Sequence, residues 1–135
     1  MLLQPRKVKY RKSFKGKIKG TNYRGCNLAF GQFGMKALES GFVTDKQLEA
    51  ARKKITFATK KSGKYWVRIF PYKSLTKKPV GVKMGGGKGE INQYTAVARR
   101  GMVIFELDGV SEEVAKMAFI KAGHKLSITT TMIKR

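Results

Sequence analysis

The first 38 residues carry ten Lys or Arg and no Asp or Glu; the first acid is Glu39. A segment without internal counter-charge repels itself and becomes stable only against a partner of opposite sign. The remainder of the chain keeps the bias, with 30 basic residues against 8 acidic and a net charge of +22. The partner that such a charge implies is a polyanion that releases counterions as its phosphates are neutralised, which points to nucleic acid before any motif is read.

Length and composition bound the rest. A chain of 135 residues with 41% hydrophobic content can build one domain around one modest core, so it is more than a disordered basic tail. The single cysteine, Cys26, excludes an intramolecular disulfide and fits a reducing compartment. No apolar run approaches the ~20 residues of a membrane span. The basic N-terminus lacks the apolar centre of a secretory signal, and its Lys- and Gly-rich composition reads as a functional arm rather than a transit peptide.

The expected fold class is α+β: a single-domain, two-layer sandwich of a mostly antiparallel sheet with two packed helices, plus a basic arm and a long Gly/Lys loop. Residues 1–27 form the arm. Arg6, Lys7, Lys9, Arg11, Lys12, Lys15, Lys17, Lys19 and Arg24 supply phosphate contacts, while Tyr10, Phe14 and Tyr23 among them are rings able to stack on bases. Residues 28–135 form the folded domain. A strand is expected over 28–38, with Gly31 or Gly34 marking a bulge or a close backbone approach.

The spacing predicts a helix over 45–61. Thr44 and Gln47 have capping-box spacing, Leu48, Ala51, Ile55 and Ala58 make an apolar stripe, and Gly63 is the stop. Its outer face offers Arg52, Lys53, Lys54, Lys60 and Lys61 to phosphates. Lys64 to Phe70 reads as a strand with Trp66 in the core. Residues 72–92 read as a projecting loop, and 94–98 and 102–107 as a hairpin whose turn, Arg99-Arg100-Gly101, exposes two cations. Ser111 caps a second helix that ends at Gly123, with Val114, Met117, Ala118 and Phe119 or Ile120 available to the core. A last strand spans Leu126 to Met132.

The glycine cluster fails the nucleotide-binding patterns it suggests. Counting back from Gly87-Lys88, the position that a phosphate-binding loop gives to Gly holds Val82, and Gly89 stands where Ser or Thr would hold Mg2+. The dinucleotide fingerprint fails at Glu90. His124 is the only histidine and Cys26 has no CxxC partner, so no zinc site or Cys–His pair has its expected pattern. No enzyme is expected.

Two segments, Lys61-Ser-Gly-Lys-Tyr-Trp-Val-Arg-Ile-Phe-Pro71 and Lys83-Met-Gly-Gly-Gly-Lys-Gly89, strongly resemble the signature segments of the large-subunit ribosomal protein L-sixteen family. Leu3 to Lys7, Phe30 to Gly34, Gln47 to Arg52 and Phe105 to Gly109 look like family segments in the same order, so the likeness covers essentially the whole chain. The resemblance implies a structural constituent of the large ribosomal subunit that joins late in assembly. It would bind large-subunit rRNA near the 5S rRNA and the peptidyl-transferase region, help position A-site tRNA, and contact neighbouring ribosomal proteins. It implies that the arm threads into rRNA and that Lys77, Lys78, Lys83, Met84, Gly85, Gly86, Gly87, Lys88 and Gly89 project toward the tRNA. No cofactor is implied beyond the Mg2+ that accompanies rRNA, and no protein metal site, membrane or small-molecule substrate. Lys83 stands where the family's loop usually carries Arg, keeping the charge but losing the planar fork. Tyr72-Lys73-Ser74 and Thr95 also depart from the family pattern, and this drift favours an organellar, mitochondrial ribosome over a bacterial one. The alternative reading is a free-standing architectural nucleic-acid-binding protein.

Overall fold

The structure of the chain, a computed structural model, describes residues 3–135. Among these, the elements run β1 (Phe33–Ala37), β2 (Gly41–Thr44), α1 (Asp45–Ala58), β3 (Lys64–Val67), β4 (Lys73–Lys77), β5 (Glu90–Ala98), β6 (Val103–Asp108), α2 (Glu112–Gly123) and β7 (Thr130–Lys134). The fold is α+β and every strand pairing is antiparallel. The strands divide into a four-stranded sheet, β3-β6-β1-β7, and a three-stranded sheet, β2-β5-β4. The helices pack on each other, α1 against β2 and β5, α2 against β7 and β1. Met35, Val43, Leu48, Ile55, Ile104, Phe105, Leu107 and Phe119 share the core between them.

Helix α1 begins as its sequence predicts. The Thr44 hydroxyl accepts from the Gln47 amide at 3.1 Å, and the Gln47 side chain accepts from the Thr44 amide at 3.0 Å. Leu48, Ala51 and Ile55 are buried along one stripe. Its end differs from the expectation. The Lys61 amide donates to the Thr56 carbonyl and the Lys60 amide to the Phe57 carbonyl, both at 3.1 Å. These paired bonds form a Schellman motif, with Lys60 at the left-handed position that Gly usually holds. Lys60 and Lys61 have φ of 51° and 62°. The helix therefore stops at Ala58, before Gly63.

Helix α2 buries Ala115, Ala118, Phe119 and Ala122, leaving Val114, Met117 and Ile120 on the outside. Two apolar stripes were available at helical spacing. The alanine stripe is inside because α2 lies against α1, where short side chains let two helices approach.

Other departures have local causes. Only Phe33–Ala37 of the 28–38 segment is a strand, because the amides of 29–31 bond a side chain instead. Strand β2 is four residues long, too short to show a period. Residues 72–92 are not one loop: β4 pairs with β5 from Lys73↔Thr95 to Lys77↔Glu90. The irregular part shrinks to 78–89. Strands β5 and β6 do not form a hairpin. Each lies between two other strands in its own sheet, and the Arg99–Gly101 turn carries the chain from one sheet to the other, its Gly101 amide bonded to the Ala37 carbonyl at 2.8 Å. Strand β3 ends at Val67, and Trp66 is half-buried, stacked on Phe30 with ring centroids 5.8 Å apart. The last strand lies at Thr130–Lys134, four residues later than its expected start.

Candidate nucleic-acid interface

The arm lies along the domain, held mainly through its backbone. The Asn22 amide donates to the Arg100 carbonyl and the Gly25 carbonyl accepts from the Val103 amide, each at 2.9 Å. The Arg11 carbonyl accepts from the Ser74 hydroxyl at 2.7 Å. Because main-chain groups make these attachments, the cations stay outside: Arg6, Lys7, Lys9, Arg11, Lys15, Lys17, Lys19 and Arg24 are exposed. So are the rings of Tyr10, Phe14 and Tyr23.

Lys12 is half-buried because it reaches across to the loop, donating to the Lys88 carbonyl at 3.3 Å and lying 3.5 Å from the Glu90 carboxylate. Lys88 reaches back, donating to the Ser13 carbonyl at 2.8 Å with its ammonium 5.6 Å from the centre of the Phe14 ring. Arm and loop, 75 residues apart in sequence at Ser13 and Lys88, thus meet in one basic surface.

Beyond that crossing the loop stands clear. Lys83 is exposed, Met84 is 95% exposed, and Lys77 lies exposed at the end of β4. Lys78 donates to the Gly85 carbonyl at 2.6 Å and tightens the turn. Gly85, Gly86 and Gly87 have positive φ, and no other group lies within 4 Å of where a side chain would start. Gly89 differs, since a Cβ there would come within 2.9 Å of the Lys77 backbone.

The α1 cations separate into two kinds. Arg52, grouped with the phosphate-binding residues from sequence, is committed within the fold: its guanidinium donates to both Glu49 oxygens at 2.6 and 2.9 Å and to the Tyr65 hydroxyl at 3.1 Å. The Arg52 hydrogen bond lowers the Glu49 carboxyl to about 2, and Glu49 in turn raises Arg52. Lys53, Lys54, Lys60 and Lys61 are exposed, as are Arg99 and Arg100 at the intersheet turn.

A buried carboxylate missed as a structural centre joins arm to domain. Glu106, on β6, is fully buried. Its oxygens accept from three successive amides, Ala29 at 3.1 Å and Phe30 and Gly31 at 2.7 Å, and from the Arg68 guanidinium. Arg68 also donates to the Asn27 carbonyl at 3.2 Å and lies over the Phe30 ring. Burial pushes the Glu106 carboxyl up, but the three amides and Arg68 together outweigh it and hold it below the ordinary carboxylate range. Nothing in the local pattern Phe105-Glu-Leu-Asp signals this role, which depends on a partner 75 to 77 residues away.

Three further acids are also occupied by the fold. Asp45 accepts at the start of α1, Glu39 accepts from the Thr129 amide and hydroxyl, and Glu112 pairs with Lys134. Few acids are therefore left to neutralise the exposed cations, and the surface charge is matched only from outside.

The family model described as ribosomal protein L16p/L10e matches residues 5–133. A protein named large ribosomal subunit protein uL16 from Sulfurihydrogenibium sp. (strain YO3AOP1) is 52% identical over 133 residues, covering 98% of this chain and 96% of the relative. Another of the same name, from Latilactobacillus sakei subsp. sakei (strain 23K), is 48% identical over 134 residues, covering 99% and 93%. Both relatives are bacterial, so the organellar preference drawn from sequence drift finds no support in them.

Proposed function

The chain belongs to the ribosomal protein L16p/L10e family of structural, non-enzymatic large-subunit proteins, and on that premise we propose that its arm and loop bind large-subunit rRNA and A-site tRNA respectively. Residues 1–27 act as the rRNA-binding arm and residues 28–135 as the scaffold. The arm follows rRNA near the 5S rRNA, and the tip from Lys83 to Gly87 reaches toward the peptidyl-transferase region and the acceptor end of A-site tRNA. The mechanism is electrostatic and geometric: cations neutralise phosphates, and the sandwich sets their directions. No cofactor takes part beyond rRNA-bound Mg2+. The bacterial relatives favour a bacterial-type ribosome.

The observation that carries this reading is the crossing of Lys12 and Lys88, which joins arm and loop into one basic surface with few acids to neutralise it. Late incorporation follows from the same feature, because a surface that contacts two RNA elements needs both already folded.

The test is reconstitution of large subunits that lack this protein, followed by gradient sedimentation and A-site tRNA binding. Incorporation of the parent chain and loss of incorporation in high salt are expected, with a slope near 0.7–0.9 log units per neutralised phosphate. Replacing residues 83–87 by a short Ser linker is expected to leave incorporation intact and weaken A-site binding. Unchanged A-site binding would remove the tRNA role. Sedimentation away from large subunits, with DNA, would instead favour the free-standing architectural reading.

A further inference from the structure

The outer face of α1 carries one aromatic residue that sequence reasoning passed over. Phe57 is 77% exposed, although the helix buries Leu48, Ala51 and Ile55. A single exposed apolar side chain is ordinary on a protein surface. This one lines a depression of about 560 Å³ whose other walls are Arg52, Lys53, Thr56, Lys60 and Lys61. Lys53 lies one helical turn before Phe57, and Lys60 and Lys61 lie in the turn just past the helix end, so cationic residues line the depression that Phe57 shares. The nearby carboxylate, Glu49, is held by Arg52.

A second observation is independent of that depression. Lys60 and Lys61 both sit in the left-handed backbone region, at φ 51° and 62°. Glycine would close the same Schellman motif without steric cost. Lysines held in that conformation form part of the wall of the same depression, and backbone strain of this kind concentrates at functional sites.

Resting on the RNA-binding reading above, we infer that Phe57 is a stacking platform for one unpaired RNA nucleotide, whose flanking phosphates are held by Lys53, Lys60 and Lys61. The occupant is unpaired because a base within an A-form helix does not present its face to a side chain. It is a nucleotide rather than an apolar peptide because the rim of the site is cationic.

The experiment measures binding of labelled single-stranded A8 RNA, and of an eight-base-pair RNA duplex, to the full-length chain and its variants. Phe57→Ala and Phe57→Leu are each expected to weaken A8 binding by roughly 5- to 100-fold, the range for loss of one base–aromatic stack. Their salt slope should match the parent's, whereas Lys53→Ala should lower the slope by about 0.7. Phe57→Trp should restore affinity, and its added indole emission should be quenched by A8 beyond the change seen from native Trp66 in the parent. Duplex binding should be the same for all Phe57 variants. Parent-like A8 affinity in both Phe57→Ala and Phe57→Leu, or an unquenched indole in an RNA-bound Phe57→Trp chain, would overturn the platform and leave RNA binding by arm and loop intact. Failure of the parent to bind either RNA would overturn both. The exposed position makes unchanged circular dichroism and melting temperature the expected folding control.

Discussion

Two irregular segments of this molecule contain glycine for opposite reasons. At the junction, residues 27–31 wrap the buried Glu106 carboxylate, and a Cβ on Gly31 would sit 2.6 Å from the Leu107 carbonyl oxygen. In the loop, Gly85 to Gly87 take positive φ and face open space. The junction needs glycine because another backbone is too close. The loop uses it so that the chain can turn sharply through left-handed backbone that other residues adopt only with strain. One segment is part of the core's architecture; the other has no structural reason to exist inside this chain.

The comparison breaks most decisively at Glu106. Glu106→Ala leaves Arg68 without its partner and three amides without their acceptor, and is expected to cost about 3–5 kcal/mol of stability in urea unfolding. The same carboxylate gives the junction a pH dependence. Its pKa is lowered on folding, so its contribution is fully present above the ordinary value of 4.5 and is lost as pH falls through the folded value. Glu49, lowered to about 2, adds to the same loss between pH 4.5 and 2. Acid titration of stability should therefore be shallower in Glu106→Gln than in the parent. A parallel titration would mean that the Glu106 cluster does not distinguish folded from unfolded chains.

The glycines themselves give the next effect. Gly31→Ala forces a Cβ against the β6 backbone and is expected to destabilise by about 1–3 kcal/mol. Gly86→Ala meets nothing and should cost under about 1 kcal/mol, from its left-handed backbone alone. Equal losses in thermal melts would erase the distinction between the two segments. Lys60→Gly acts with the opposite sign. Relieving a left-handed lysine should stabilise the fold by about 1 kcal/mol while weakening RNA binding.

Much of this was legible in the sequence. The capping box at Thr44, the Leu48–Ala51–Ile55 stripe and the Ser111 cap depend on neighbours within a few residues, and the structure keeps them. The charge imbalance located arm and loop because segments that cannot build a core stand out in composition. What stayed hidden depends on distant partners. The Lys73–Lys77 strand has only Leu75 as an apolar signal and takes its pairing from β5. Nothing near Val103 says that β6 pairs with β1 and β3 rather than with β5. Arg52 looked like its neighbours Lys53 and Lys54 until Glu49 and Tyr65 engaged it. Phe57 was overlooked because a helical aromatic suggests burial, and only the choice of face shows otherwise.

The register of the four-stranded sheet has a kinetic consequence. Strand β1 is bracketed by β6 and β7, with Phe33 opposite Leu107 on one side and Lys134 on the other. One of its hydrogen-bonding edges stays open until β6 has been synthesised and the other until β7 has. Folding is thus a late event, slowed by the closure of long loops, and the basic N-terminal segment spends its time on the emerging chain without the body it will later lie against. During that interval a cationic segment without counter-charge lies open to any polyanion. The groups that hold the arm on the body, at Ser74, Arg100 and Val103, all lie well downstream of it, so its orientation is acquired after its charge.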